Sequence, residues 1–508
     1  MKKILAFLPN TIANNYIVML DEIQKKLDEG HEVVLISCDA GIRHCDYNIT
    51  GNRFVCNACC HCLKHSIKFL KGNYKVLKIE DFITKDDKYE IHKINLDFVD
   101  LNKLKKFEYK NYDIGYAVLS TYIDFTRNLN PKFTSEFKNF IKYLFIDSMT
   151  IYNAYEKAIK KINPGKVLVY NGRLHTSKPA LVIANRNVIE IDTIEVIGGH
   201  GEKKLEKVKY ENSLPHNINY NTILINNIWD SADKTERDMK ANEFYRKRRQ
   251  GAPAAYRSYT KNQNSGSLPI NFNAEKINIA IFNSSNDEMA SLGPEWEWEI
   301  FGGNQQIAVE KIADMFLDND DIHIYLRIHP GLKDVEYKYH TDYYNLHKRY
   351  SNITVIEADS KLSSYSLLDA CNVIVTFRST VGIEATYWGK PAILIGKSMY
   401  MNLDATYNPS SENEFKNLIL NKRLKPKDKE GALKYGYYLY GRKGEILRHF
   451  DANLQLKFPR FINQNLYIYY LDKQRRITSA AILNFLYFTT ARFLKNFVLN
   501  RRIPREDN

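Results

Sequence analysis

The sequence predicts an α/β protein made of two parallel-sheet halves in tandem, followed by a basic helical tail. Three observations carry this. The chain opens with a strand at Lys3–Pro9, an amphipathic helix at Ile17–Leu27 ended by Gly30, and a second strand at His31–Ser37, a βαβ start. A fresh strand–helix series begins at Ile277–Phe282, after a stretch rich in turn formers. In both series, short apolar runs lead directly into polar clusters, which places those clusters at the carboxyl ends of parallel strands, where open α/β sheets bind ligands.

The remaining elements follow in order. Lys166–Tyr170 reads as a strand running into Asn171-Gly172-Arg173, then a helix-like segment at 178–187 and a candidate strand at 188–196. From Glu211 to Arg249 the pattern is helical and strongly charged, and 251–275, with Pro253, Ser265, Gly266 and Pro269, reads as a linker or crossing. The second series continues with a helix at Gln305–Leu317 and strands ending before Arg327, at 353–357, before Arg378 and at 391–396. The expected domains are therefore 1–250, with a cysteine-rich insertion at 38–65, then the crossing, then 276–457, and a tail at 458–508. A chain of 508 residues exceeds one ordinary core, which agrees with two large domains.

Composition narrows the function classes. A hydrophobic content of 44% excludes disorder, and a formal charge of +14 calls for an anionic partner such as a nucleotide diphosphate, an acidic glycan, a lipid headgroup or nucleic acid. Nucleic acid is disfavoured because no recognition module or basic-aromatic stripe occurs. The apolar run at the N-terminus is interrupted by Asn10, Thr11, Asn14 and Asn15, so it reads as a strand and not as a signal peptide. No uncharged apolar run reaches the about 20 residues of a membrane span. The expected location is the cytoplasm, peripheral to the inner face of the cell membrane.

The most informative residues lie in the second half. Arg327-Ile328-His329-Pro330 follows one apolar run, and Ser379-Thr380-Val381-Gly382-Ile383-Glu384-Ala385 follows another. A Ser-Thr-x-Gly turn opening a helix offers hydroxyls, backbone N–H groups and a positive dipole end to a phosphate, with Glu384 one turn further on to grip ribose hydroxyls. Ser284 and Ser285, in the loop after Phe282, are further phosphate donors by position. Together these motifs resemble the nucleotide-binding half of GT-B glycosyltransferases, specifically the capsule and lipopolysaccharide enzymes with a His-Pro motif. That resemblance implies two Rossmann-like domains facing a cleft, a nucleotide-sugar donor, and a glycan or lipid-linked glycan acceptor. It assigns donor binding to His329, Pro330, Ser379, Thr380 and Gly382. The residues themselves add Ser284, Ser285, Arg327 and Glu384 to the donor set, and Arg327, His329 and the Ser379 helix would neutralise charge on the leaving nucleotide, which can remove the need for a catalytic divalent metal. In the first domain the resemblance implies an acidic acceptor-activating base. The nearest match is Glu195 in Glu195-Val196-Ile197-Gly198, one residue longer than the family's Glu-x-Gly, with Asp192 as rival. Asn171, Arg173 and His175 would orient acceptor or donor.

Two features lie outside that resemblance. Six of the seven cysteines fall between Cys38 and Cys62, and Cys38, Cys45, Cys56 and Cys59 form a candidate tetrahedral site for structural zinc, or second an iron–sulfur cluster. Ile477–Leu499 sets apolar side chains at helical spacing among lysines and arginines, the pattern of a helix lying on an anionic membrane surface. The expected function is transfer of a sugar from a nucleotide donor to a surface polysaccharide or its lipid-linked precursor. A nucleotide-sugar 2-epimerase and a non-catalytic glycan-assembly subunit are the alternatives.

Overall fold

The computed structural model describes residues 2–471 except 11–12, 47, 50, 52, 198–205, 253, 256–257, 286, 288–289, 443, 452–454, 458–464 and 468–469. The chain divides into two compact units, Met1–Pro215 together with the stretch from Gly444 on, and His216–Lys443.

The first unit is built on β1 (Lys3–Leu8), β2 (Glu32–Ser37), β3 (Tyr74–Lys78), β4 (Lys166–Tyr170), β5 (Glu190–Ile197) and β6 (Glu206–Glu211). Their order is β6-β5-β4-β1-β2-β3. β1 to β5 are parallel, and β6 runs antiparallel to β5. Ala6 of β1 faces Leu35 on one side and Leu168 on the other, and all three are fully buried. The unbroken apolar runs of these strands reflect a sheet covered on both faces. The 28-residue helix Ser135–Ile162 is capped by Thr134, whose hydroxyl accepts the Phe137 N–H, and it ends at left-handed Asn163. The edge of the Phe7 ring packs on Tyr155 of this helix, 5.1 Å between centroids.

A buried ion cluster closes this unit. Lys207 on β6 donates to Asp21 and Glu22 of the helix Ala13–Asp28, both at 2.8 Å, and all three side chains are almost inaccessible. The other Asp21 oxygen accepts the backbone N–H groups of Arg448 and His449, which ties the returning chain to that helix. The short strand Glu445–Ile446 pairs with β6 beside it.

The second unit holds β7 (Ile277–Phe282), β8 (Ile322–Arg327), β9 (Ile353–Ile356), β10 (Val373–Thr376) and β11 (Ala392–Leu394). All are parallel, in the order β11-β10-β7-β8-β9. The expected α/β class with two Rossmann-like units is what the structure shows.

The unit boundaries differ from the expected ones. Helices Ile218–Ser231 and Lys234–Arg249 belong with the second sheet, because Tyr438 donates to Asn221 at 2.9 Å and Tyr245 to the Ala432 carbonyl at 2.6 Å. The stretch 251–275 also folds onto this unit, with the Asn264 N–H on the Lys361 carbonyl and the Gly266 N–H on Ser366. The chain rejoins the first unit at Gly444, ahead of the expected domain end at 457. The expected membrane-surface helix at 477–499 lies outside the described residues. Among the described residues, no helix is long and apolar enough to cross a membrane.

Candidate functional site

In an open parallel sheet, the crevice for a ligand opens at the carboxyl edge where strand order reverses. In the second unit that point lies between β7 and β10. The loop after β7 begins Asn283-Ser284-Ser285, and the loop after β10 carries Arg378-Ser379-Thr380. The Arg378 N–H donates to the Ser284 hydroxyl at 3.1 Å, so the two loops are joined across the reversal. The next strand, β8, delivers His329 and Pro330 to the same edge, and the His329 N–H donates to the Asn283 side chain at 2.7 Å. The sheet thus gathers the His-Pro and Ser-Thr motifs, 50 residues apart in sequence, at one edge.

His329 is held in a defined tautomer. The Gly331 N–H donates to its Nδ1 at 3.1 Å, so in the neutral ring the proton sits on Nε2, a donor suited to a phosphate oxygen. Tyr259 packs against the imidazole, centroids 5.1 Å apart. His329, Pro330, Ser379 and Thr380 remain partly exposed. The Ser379 hydroxyl accepts the Val381 N–H at 3.3 Å, shaping the turn into the helix Val381–Tyr387. Gly382 has a steric reason: a Cβ there would lie 2.6 Å from the Thr376 hydroxyl and 2.7 Å from that of Tyr400, so only glycine lets this helix approach β10.

Other expected donor contacts are engaged inside the protein. Arg327 is buried and donates to the carbonyls of Glu357 and, at 2.9 Å, Ser360; burial lowers its pKa to about 10. It anchors the loop after β9 and does not face a phosphate. Glu384 is likewise buried: one oxygen accepts Arg248 Nε at 3.0 Å and the Thr380 hydroxyl at 2.9 Å, and the other accepts the Tyr365 hydroxyl. It clamps the turn and is not presented to ribose. Ser284, beyond its bond from Arg378, donates its N–H to Gln305, and the Ser285 hydroxyl donates to Asp287 at 2.6 Å. Both serines are nearly buried, so they shape the loop. Sequence reasoning missed Arg378 as a site residue, although its place after β10 mirrors that of Arg327 after β8. Its burial lowers its pKa to about 10, and it donates to the Trp296 carbonyl at 3.2 Å. Arg248 and Tyr259 were also missed, and nothing in their local sequence marks them.

In the first unit the strand order reverses between β1 and β4. Glu195, near the end of β5, accepts hydrogen bonds from the Tyr170 hydroxyl at 3.1 Å and from the Asn171 side chain. Burial raises its pKa from 4.5 to about 7, against the opposing pull of Asn171, Tyr170 and the nearby Arg173 charge. A carboxylate that titrates near neutrality, with two donors fixing its plane, suits a general base. Asn171 and Gly172 are consecutive left-handed residues, and a Cβ on Gly172 would meet Leu214 at 2.9 Å. This turn brings Asn171 onto Glu195 and lets Arg173 pair with Asp124 at 2.7 Å.

Asp192 and His175 are corrected by their surroundings. Asp192 is buried and paired with Lys166 at 3.0 Å, with Lys209 at 3.7 Å, so it is a neutralised structural carboxylate. His175 is fully buried, with Nδ1 at 2.9 Å from the Thr121 hydroxyl and Nε2 at 2.7 Å from the His44 carbonyl. It locks the loop after β2 to the helix Ile114–Thr126 and has no surface to offer an acceptor.

The cysteines also differ from expectation. Cys38, Cys45, Cys56, Cys59 and Cys60 line one cavity of about 20 Å³ beside the ends of β1 and β2. Among the described residues, however, no three cysteine, histidine or acidic side chains are grouped to hold a metal ion. Cys56 and Cys59 lie on a continuous helix, Arg53–Ser66, and not on a knuckle turn. Cys56 accepts from the Asn48 side chain at 3.0 Å, Cys45 from the Asn48 N–H at 3.2 Å, and Cys38 from the Ile42 N–H at 3.4 Å. Among the described residues, the expected four-cysteine zinc or iron–sulfur site finds no support.

Residues 300–427 match the family model described as capsule polysaccharide biosynthesis protein. Solved structures with detectable likeness include the beta Kdo 2,4 transferase of Thermosulfurimonas dismutans KpsC, at 17% identity over 54% of this chain and 79% of that one, with a TM-score of 0.36. UDP-GlcNAc 2-epimerase from Neisseria meningitidis, bound to UDP-GlcNAc, aligns at 12% identity over 86% and 97%, with a TM-score of 0.28. The calicheamicin glycosyltransferase CalG4 aligns at 10% over 86% and 94%, with a TM-score of 0.25. Likenesses this remote identify no substrate. None of the curated proteins compared with this sequence matches it.

Proposed function

We propose that the protein transfers a sugar from a nucleotide-sugar donor to an acceptor hydroxyl in the synthesis of a surface polysaccharide. The observation that carries this reading is a coincidence of place. The capsule polysaccharide biosynthesis match at 300–427 covers the His329-Pro330 and Ser379–Glu384 motifs, which meet at the sheet edge of the second unit.

In this reading the second unit takes the donor. His329 Nε2–H hydrogen-bonds a donor phosphate, and the Ser379-Thr380 turn supplies further polar contacts. In the first unit, Glu195 accepts the proton of the acceptor hydroxyl as that oxygen attacks the anomeric carbon. The bond from that carbon to the nucleotide's phosphate oxygen breaks, and the departing negative charge is stabilised by donors already in place. Arg173 and Asn171 set the charge and orientation around Glu195. The chemistry is tested by incubating the full chain with UDP-, GDP-, dTDP- and CMP-sugars and following donor hydrolysis. Inversion at the sugar C2 without hydrolysis or transfer would replace this reading with an epimerase.

His329→Ala, and separately Ser379→Ala with Thr380→Ala, should weaken nucleotide binding by roughly 10- to 100-fold, since a hydrogen bond to a charged group contributes about 1.5–3 kcal/mol. Calorimetric titration checks this, and unchanged affinity in both variants would remove the donor site from this edge.

The tail reading belongs to the same proposal, with its basic, apolar-faced segment holding the protein at an anionic membrane surface beside a lipid-linked acceptor. Removal of residues 470–508 should abolish flotation with anionic vesicles and leave nucleotide affinity intact. Equal flotation of intact and shortened protein would refute a tethering role.

A further inference from the structure

We propose that Arg248 is a positioning residue that sets the Thr380 hydroxyl for the nucleotide donor, an inference that rests on the donor-site reading above. Arg248 stands at the end of the helix Lys234–Arg249, 132 residues before Thr380 in sequence. Its Nε donates to Glu384 Oε1 at 3.0 Å, and a second guanidinium nitrogen reaches the Thr380 hydroxyl at 3.3 Å. That hydroxyl gives its one proton to the same Glu384 oxygen at 2.9 Å. Arginine, threonine and glutamate therefore close a three-membered ring of hydrogen bonds. Its Thr380 member is partly exposed at the β7/β10 reversal, while the Glu384 side chain is 2% and the Arg248 side chain 16% exposed.

The ring is itself braced. The Thr260 hydroxyl donates to the Arg248 carbonyl at 3.2 Å, and the Tyr365 hydroxyl donates to the other Glu384 oxygen. With its proton committed to Glu384 and one lone pair to Arg248, the Thr380 hydroxyl presents its remaining lone pair in one orientation to the crevice, an acceptor for a ribose hydroxyl or base N–H of the nucleotide and not a donor to its phosphate. The arginine fork is what makes this work, since its nitrogens reach two acceptors at once in a fixed plane. A lysine ammonium is a point charge without that geometry. Arg248 touches no reacting atom in this scheme and acts through Thr380.

The test must separate this role from simple support of the fold. Arg248→Met leaves Glu384 buried without its cation and is expected to destabilise the protein. Combining it with Glu384→Gln removes the stranded charge, keeps the amide oxygen as acceptor for Thr380 and puts an amide N–H where it donates to the Tyr365 oxygen, so thermal stability should return toward wild type. Nucleotide affinity should not return. By titration with UDP, GDP, dTDP and CMP, both Arg248→Lys and the double variant should bind the wild type's preferred nucleotide about tenfold or more weakly, the scale set by misplacing a binding group by an ångström or less. In a transfer assay the loss should appear in donor KM, with kcat at saturating donor largely kept. A double variant with restored melting temperature and wild-type affinity would overturn the inference and leave Arg248 as a structural ion pair. If the wild type binds none of the four nucleotides, the donor-site reading fails, and this inference fails with it.

Discussion

Glu195→Gln should reduce sugar transfer by roughly 10²- to 10⁴-fold, the usual contribution of a general base, with nucleotide affinity unchanged. Glutamine keeps the shape and can still accept from Tyr170, but it cannot take a proton from the acceptor. The pH dependence follows from the raised pKa of about 7. The base works only when ionised, so wild-type kcat/KM should climb as pH rises through about 7, and any residual activity of the variant should lack that limb. Stability moves the opposite way. A carboxylate at about 7 in the fold and near 4.5 when unfolded makes the native state hold its proton more tightly across that window, so wild-type stability falls as pH rises through it. Glu195→Gln abolishes the loss, and its melting temperature should exceed that of wild type at pH 8 and match it at pH 4. Asp192→Asn should behave differently, lowering stability because it strips a partner from Lys166 and Lys209. Wild-type turnover in Glu195→Gln would rule out Glu195 as the base.

Lys207→Ala should have the largest effect on stability, about 3–5 kcal/mol in the unfolding of the first unit, because it leaves buried Asp21 without its cation and buried Glu22 with only Lys26, at 3.7 Å. Lys207 itself shows the balance: burial lowers its pKa, but Glu22 and Asp21 more than offset that and raise it overall. Lys209 gives the contrast on the same strand. Its pair with Glu211, at 2.9 Å, is largely exposed, and buried Asp192, 3.7 Å away, keeps the closer Lys166 when Lys209 is removed, so Lys209→Ala should cost far less. Urea titration of both variants checks the difference, and similar losses would show that burial does not govern the cluster.

Much of the scaffold was legible in the sequence. The expected strands at Lys3–Pro9, His31–Ser37, Lys166–Tyr170 and Ile277–Phe282 match observed strands to within a residue at each end. Buried parallel strands must be short and continuously apolar, and that pattern is local. β6 was not legible: Glu206–Glu211 is short and rich in charge, it follows the expected strand at 188–196, and the sequence reading gave it no element.

What the sequence determined by itself was therefore the two-unit α/β build and the strand ends carrying His329, Ser379, Thr380 and Glu195, because apolar runs and their polar exits are properties of neighbours along the chain. Tertiary structure alone decided which of these side chains stay available. Arg327, Glu384, Asp192 and His175 have the right chemistry and the right place on the sheet, yet each is closed off by a partner distant in sequence: Ser360, Arg248, Lys166 and the His44 carbonyl. The same kind of packing raises the Glu195 pKa to about 7 and gathers Cys38, Cys45, Cys56, Cys59 and Cys60 around one cavity. Burial and long-range pairing set which polar groups face solvent, and a one-dimensional pattern does not contain them.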